Sequence, residues 1–89
     1  MSNQSEEAMT LCQLGNMLLK GSEARGENPF SVNLHISCPR GKAIGIHHTH
    51  PGGEPEPSAQ DIAEAKRFSL DWLCVTVPET RVTKCYPVK

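Results

Sequence analysis

The sequence predicts an α/β fold, and three observations carry that reading. Phe30, Val32, Leu34 and Ile36 alternate with Ser31, Asn33, His35 and Ser37, the period of a half-buried strand. The alternation resumes through Ile44, Ile46, His48 and His50. After a stretch rich in proline and glycine, Ser58-Ala59-Gln60-Asp61 opens a run in which Ile62, Ala65, Lys66 and Ser69 recur at helical spacing.

Taken in order, residues 1–6 are polar and acidic and read as a flexible tail, with 7–89 as a single compact domain. Met9, Leu11, Leu14, Leu18 and Leu19 suit a short helix or a strand broken at Gly15 equally well. Residues 20–29 carry two glycines, a proline and four charges, which predicts a loop. Strands are expected over 30–37 and 43–50, with a turn at Cys38–Lys42 between them. Three prolines and two glycines exclude regular structure from Pro51 to Pro57. A helix follows, capped by Ser58 and reaching about Leu70. Trp72–Val77 and Val82–Tyr86 then form a hairpin around Pro78-Glu79-Thr80-Arg81. No repeat or low-complexity segment interrupts the chain.

Composition narrows the function classes. Eighty-nine residues with a 37% hydrophobic fraction and four aromatics (Phe30, Phe68, Trp72, Tyr86) support one modest core, which a bound metal or a homo-oligomeric partner would help to stabilise. Nine Lys+Arg against ten Asp+Glu leave a net charge of −1 without a basic stripe, so nucleic-acid binding has no electrostatic basis. The apolar run Met9–Leu19 is broken by Gln13, Gly15 and Asn16 and is too short to span a bilayer. With no secretory signal either, a cytoplasmic protein without membrane partners is expected.

Cys12, Cys38, Cys74 and Cys85 form no C-x-x-C pair, which argues against a cysteine zinc ribbon. If 78–81 is a four-residue turn, Val77 faces Val82 and Cys74 faces Cys85. In a reducing cytoplasm the two thiols pack side by side. Under oxidising conditions they should bridge to each other rather than to Cys12 or Cys38.

The chemistry concentrates in His48-Thr49-His50-Pro51, followed by Ser58 and Asp61. On an extended segment the two histidines point the same way. A carboxylate from the following helix would complete a three-ligand zinc site with one open position, the mark of a catalytic zinc. Ser58 and Asp61 also read as a helix cap with an acidic third residue, so capping and metal binding compete for Asp61. His47 points to the opposite face and reads as a packing residue. His35 lies on the polar face of its strand.

These residues, with Gly45 three positions before His48, resemble the JAMM family of zinc metallopeptidases (the JAB/MPN domain). Its signature is an upstream glutamate, then H-[S/T]-H-P, then S-x-x-D. Seven residues separate His50 from Ser58 and two separate Ser58 from Asp61, the family spacing. The resemblance implies a small mixed β-sheet with flanking helices in a cytidine-deaminase-like arrangement. It implies Zn2+ on His48, His50 and Asp61, although such a ligand set also takes iron or nickel. Ser58 would donate to the oxyanion, and an upstream glutamate would act as general base. Glu7, followed by a short apolar stretch ending at Gly15, is assigned that role, with Glu6 as the alternative; Glu23 and Glu27 sit in the charged loop. The implied activity is peptide or isopeptide hydrolysis on ubiquitin-like or sulfur-carrier protein C-termini. The rival class is an inert metal-binding or protein-interaction module that lacks a positioned base. Zinc deaminases are excluded, since the chain lacks H-x-E with P-C-x-x-C, and so is a helical H-E-x-x-H protease.

Overall fold

In the computed structural model, which describes residues 5–27 and 32–88, the chain opens with a hairpin. β1 (Glu7–Leu14) runs antiparallel to β2 (Met17–Arg25), with Leu14 paired to Met17 across Gly15 and Asn16. Of the helix and strand left open for 7–19, the chain takes the strand. Gly15 at φ 61° supplies the positive φ that a two-residue hairpin turn needs.

β2 continues through Arg25, so most of the loop expected over 20–29 is strand. Its charges are tolerated because β2 is an edge strand, where charged side chains face water and discourage further pairing. Gly21 is needed for a close approach rather than a bend. A Cβ there would lie 2.5 Å from the Ser37 carbonyl oxygen and 2.7 Å from Cys12 Sγ.

β3 (Lys42–Thr49) pairs antiparallel with the other side of β1. The chain then crosses over through α1 (Ala59–Arg67) into β4 (Trp72–Val77), which lies parallel to β3. β5 (Val82–Pro87) returns antiparallel to β4. The sheet order is β2-β1-β3-β4-β5, a mixed five-stranded sheet as expected. Flanking helices are not found: α1 is the single helix among the described residues. It ends at Arg67 rather than near Leu70, because Ser69 adopts φ 56° and turns Leu70 into the core at 2% exposure. No helix among the described residues is long and apolar enough to cross a membrane.

The core lies on one face of the sheet, where Ala8, Ile46 and Leu73 meet Ala65 and Leu70. Residues 32–37 help to cover it. They were expected to form a strand with Phe30 and Ser31, which lie outside the described residues, yet 32–37 join no ladder. Their alternation is nonetheless real: Leu34 is buried and Val32 and Ile36 pack on the core, while Asn33, His35 and Ser37 face water. Period two follows from an extended backbone and an apolar surface beneath it. A ladder also needs a partner strand, and among the described residues β2 hydrogen-bonds this segment through Ser22, whose N–H donates to the Ser37 carbonyl at 2.9 Å and whose hydroxyl donates to the His35 carbonyl.

Both cysteine pairs are disulfides, which corrects the reading of reduced thiols. Cys74 faces Cys85 in the counted register and is bonded to it. The Cys12–Cys38 bridge was not foreseen, since it joins β1 to a segment outside any hairpin that could be counted.

Peptide mapping without reductant should recover Cys12 linked to Cys38 and Cys74 linked to Cys85. Replacing Cys12 and Cys38 by alanine should lower unfolding free energy by roughly 3 kcal/mol, the loop-closure value for a bridge of this span. Amide exchange should rise first over 32–38. Exchange unchanged in that segment would show that the bridge does not hold it.

Candidate metal centre

The C-terminal end of β3 is where four parts of the chain meet. β3 and β4 are parallel, so the loop leaving β3 and the first turn of α1 lie at that end of the sheet. β1 is antiparallel to β3, so its first residues arrive there too, with Ala8 opposite His48. Side chains alternate faces, and the residue two before Ala8 therefore shares the face of His48. That residue is Glu6.

His48 is 3% exposed and Glu6 5%. His48 Nδ1 lies 3.1 Å from Glu6 Oε1. An ionised carboxylate can only accept, so Nδ1 donates to it, which in the neutral imidazole leaves Nε2 with a lone pair. That Nε2 is buried and has no hydrogen-bond partner among the described residues. His50 repeats the arrangement. Its backbone N–H donates to the Thr76 carbonyl at 2.8 Å, extending the β3–β4 pairing by one residue. Its Nδ1 lies 3.3 Å from the Glu54 carbonyl oxygen, again an acceptor, and its Nε2 faces Asp61 Oδ2 at 3.2 Å.

Asp61 is the third residue after the cap. Ser58 Oγ accepts from the Asp61 N–H at 3.1 Å, and Asp61 Oδ2 accepts from the Ser58 N–H at 3.0 Å, a complete capping box. Capping and metal binding were expected to compete for this carboxylate. The structure lets it cap the helix while it faces His50. Ser58 is exposed beside the cleft, and its Oγ caps as an acceptor, so its proton remains available for donation.

Glu6, His50 and Asp61 each offer a donor atom, and these atoms lie within 4.8 Å of one another. His50 Nε2 and the Asp61 carboxylate need a proton or a metal cation between them, and either fits their 3.2 Å approach. Together with the unpartnered Nε2 of His48, this donor set suits a divalent ion, imidazole nitrogen and carboxylate oxygen being ordinary zinc ligands. The tightest trio contains Glu6 in place of His48, which adjoins it through the Glu6 carboxylate.

The structure corrects the placement of Glu7. Its side chain is on the opposite face, exposed and paired with Arg25 Nη2 at 2.7 Å. Its N–H donates to Thr49 Oγ1 at 2.8 Å. Both partners of the ion pair are solvated, so the bridge adds little stability. Glu6, counted with the tail on sequence grounds, belongs to the site, and residues 1–4 lie outside the described residues. Spacing to Gly15 favoured Glu7, whereas the buried series Ala8, Thr10, Cys12 marks the inward face of β1 and puts Glu6 on it. Glu23 and Glu27 are exposed, as is His35.

His47 faces away from the cluster as expected, with Nε2 2.7 Å from Thr76 Oγ1. Burial, and secondarily the neighbouring His48, hold its pKa below the ordinary histidine value, so it is neutral at pH 7. Glu6, Val32, His48, His50, Ser58 and Asp61 line an open cleft of about 280 Å³.

A family model described as prokaryotic homologs of the JAB domain matches residues 12–86. The match begins after Glu6, whose place in the cleft therefore comes from the strand register alone. Comparison with curated proteins and with solved structures gave no match.

Purified protein should carry one divalent ion per chain, removed by His48→Ala with His50→Ala. Zinc at 100 times its Kd should stabilise the wild type by about 2.7 kcal/mol, or on the order of 10–20 °C in Tm for a domain this small. Metal content and Tm unchanged in the double variant would rule the centre out.

Proposed function

Because the chain belongs to the family of prokaryotic homologs of the JAB domain, we propose that it is a zinc-dependent hydrolase of peptide or isopeptide bonds. Its substrate would be the C-terminal tail of a ubiquitin-like or sulfur-carrier protein. The observation that supports this reading best is the buried Glu6–His48 pair, which leaves His48 Nε2 unpartnered beside His50 and Asp61.

In this reading His48, His50 and Asp61 hold the metal. A zinc ion bound there supplies Lewis acidity and lowers the pKa of a water towards about 7. Glu6 takes a proton from the attacking water and returns it to the leaving amine. One of its oxygens is engaged by His48 Nδ1, which fixes the carboxylate, and the other is left for proton transfer. Ser58 donates its hydroxyl to the oxyanion, an interaction worth about 3–4 kcal/mol when well placed. A cleft of about 280 Å³ favours a flexible tail over a folded loop as substrate.

Two observations bear on the alternatives. An inert module would lack a positioned acid, and a glutamate buried in the cleft counts against it. The tight grouping of Glu6, His50 and Asp61 favours a second reading in which Glu6 is a ligand.

Glu6→Gln separates these readings. As a base, its replacement should lower hydrolysis of a ubiquitin-like fusion by about 10²-fold or more with zinc content unchanged. As a ligand, its replacement should release the zinc. Glu7→Gln should leave both at the wild-type level. Activity retained in Glu6→Gln, or absent from the wild type against every such fusion, would overturn the proposal.

A further inference from the structure

We infer that Tyr86 is a positioning residue that sets the orientation of the His50 imidazole. The inference rests on the metal centre proposed above, in which His50 Nε2 is a ligand atom.

His50 and Asp61 stand at the two ends of an irregular segment, so what fixes that segment fixes the site. Inside it, the Glu54 carbonyl oxygen lies 3.3 Å from His50 Nδ1 and accepts from it when Nε2 is given to a metal. The next carbonyl along, that of Pro55, accepts from the Tyr86 hydroxyl at 2.5 Å, across 31 residues of sequence. The Glu54–Pro55 link is stiff. Proline fixes its own φ and confines the preceding residue to extended backbone. Holding the Pro55 carbonyl therefore holds the Glu54 carbonyl one residue before it.

The mount of the tyrosine is equally firm. Tyr86 is half-buried on β5 and pairs with Leu73, itself 1% exposed. The preceding residue, Cys85, is bonded to Cys74. The hydroxyl is thus fixed relative to the sheet, and through Pro55 and Glu54 it keeps an acceptor against His50 Nδ1 and the Nε2 edge turned to the donor cluster. Hydrogen-bond partners behind a ligating histidine act on metal affinity in this way.

A second anchor serves as the control. The Gly52 N–H donates to Glu79 Oε1 at 3.0 Å, which holds the segment at a point outside the Glu54–Pro55 unit.

The test compares wild type, Tyr86→Phe and Glu79→Ala. In the zinc-loaded protein at pH 8, long-range proton–nitrogen spectra should show the wild-type His50 Nδ1–H held in slow exchange by its acceptor. Tyr86→Phe should exchange this proton faster while that of His48, held by Glu6, is unchanged. The zinc Kd of Tyr86→Phe, read by competition with a chelator, should rise about tenfold, the lower end of the range for such partners. Its metal-free melting temperature should stay near the wild type, and Glu79→Ala should keep the His50 proton in slow exchange. The inference is overturned by wild-type exchange and Kd in Tyr86→Phe. An equal disturbance of His48, or an equal effect of Glu79→Ala, would overturn it too, because either means general loosening. A wild type that takes up no zinc sinks the metal centre and this inference with it, whereas zinc binding with no change in Tyr86→Phe sinks the inference alone.

Discussion

The antiparallel pairing of β1 with β3 is the constraint on which the candidate site depends. It brings Glu6 to His48 across 42 residues of sequence and buries both in one contact. Glu6 is 5% exposed, and a buried carboxylate needs a partner. The imidazole N–H satisfies one of its oxygens, and in doing so fixes which nitrogen of His48 stays free. Because strand side chains alternate with period two, a slip of one residue in this register would exchange Glu6 for Glu7 and empty the cleft of its acid.

The parallel pairing of β3 with β4 supplies the other half of the geometry. Two parallel strands need a crossover, and this one leaves from the end of β3 at His50 and enters α1 through its capped first turn. Strand ends and helix N-termini gather side chains and unpaired backbone groups at one place, which is why open α/β sheets bind ligands at the carboxyl ends of their strands. Asp61 illustrates the economy of that position. Its carboxylate closes the capping box and faces His50 at the same time, so the contact that starts the helix also aims the acid.

A chain this short covers its sheet thinly. On one face α1 and residues 32–36 bury the core. On the other, Leu11 and Trp72 close over Gly45, where an added Cβ would meet Leu11 Cδ1 at 3.3 Å and Trp72 Cβ at 3.1 Å. Trp72 itself remains 44% exposed. Of the two disulfides, Cys12–Cys38 ties down a segment without a ladder and Cys74–Cys85 crosses the edge hairpin. Small domains commonly offset a limited core with such cross-links.

What the sequence by itself determined is local. The alternation through Ile44, Ile46 and His48 marked β3 and the face of its histidines. Ser58 and Asp61 marked the start of α1, and counting outward from the Pro78–Arg81 turn put Cys74 opposite Cys85. Even where 32–37 failed to pair, their alternation told which side chains turn inward, because an extended backbone has that period with or without a partner. Tertiary structure decided whatever required knowing the neighbour. Residues 7–27 became a hairpin because β3 lay ready to pair with β1, although local propensity left helix and strand open. Cys38 found Cys12 because Gly21 leaves room for the segment to come close. Glu6 rather than Glu7 entered the cleft for the same kind of reason: spacing favoured Glu7, and only pairing with a strand distant in sequence makes one inward and the other outward.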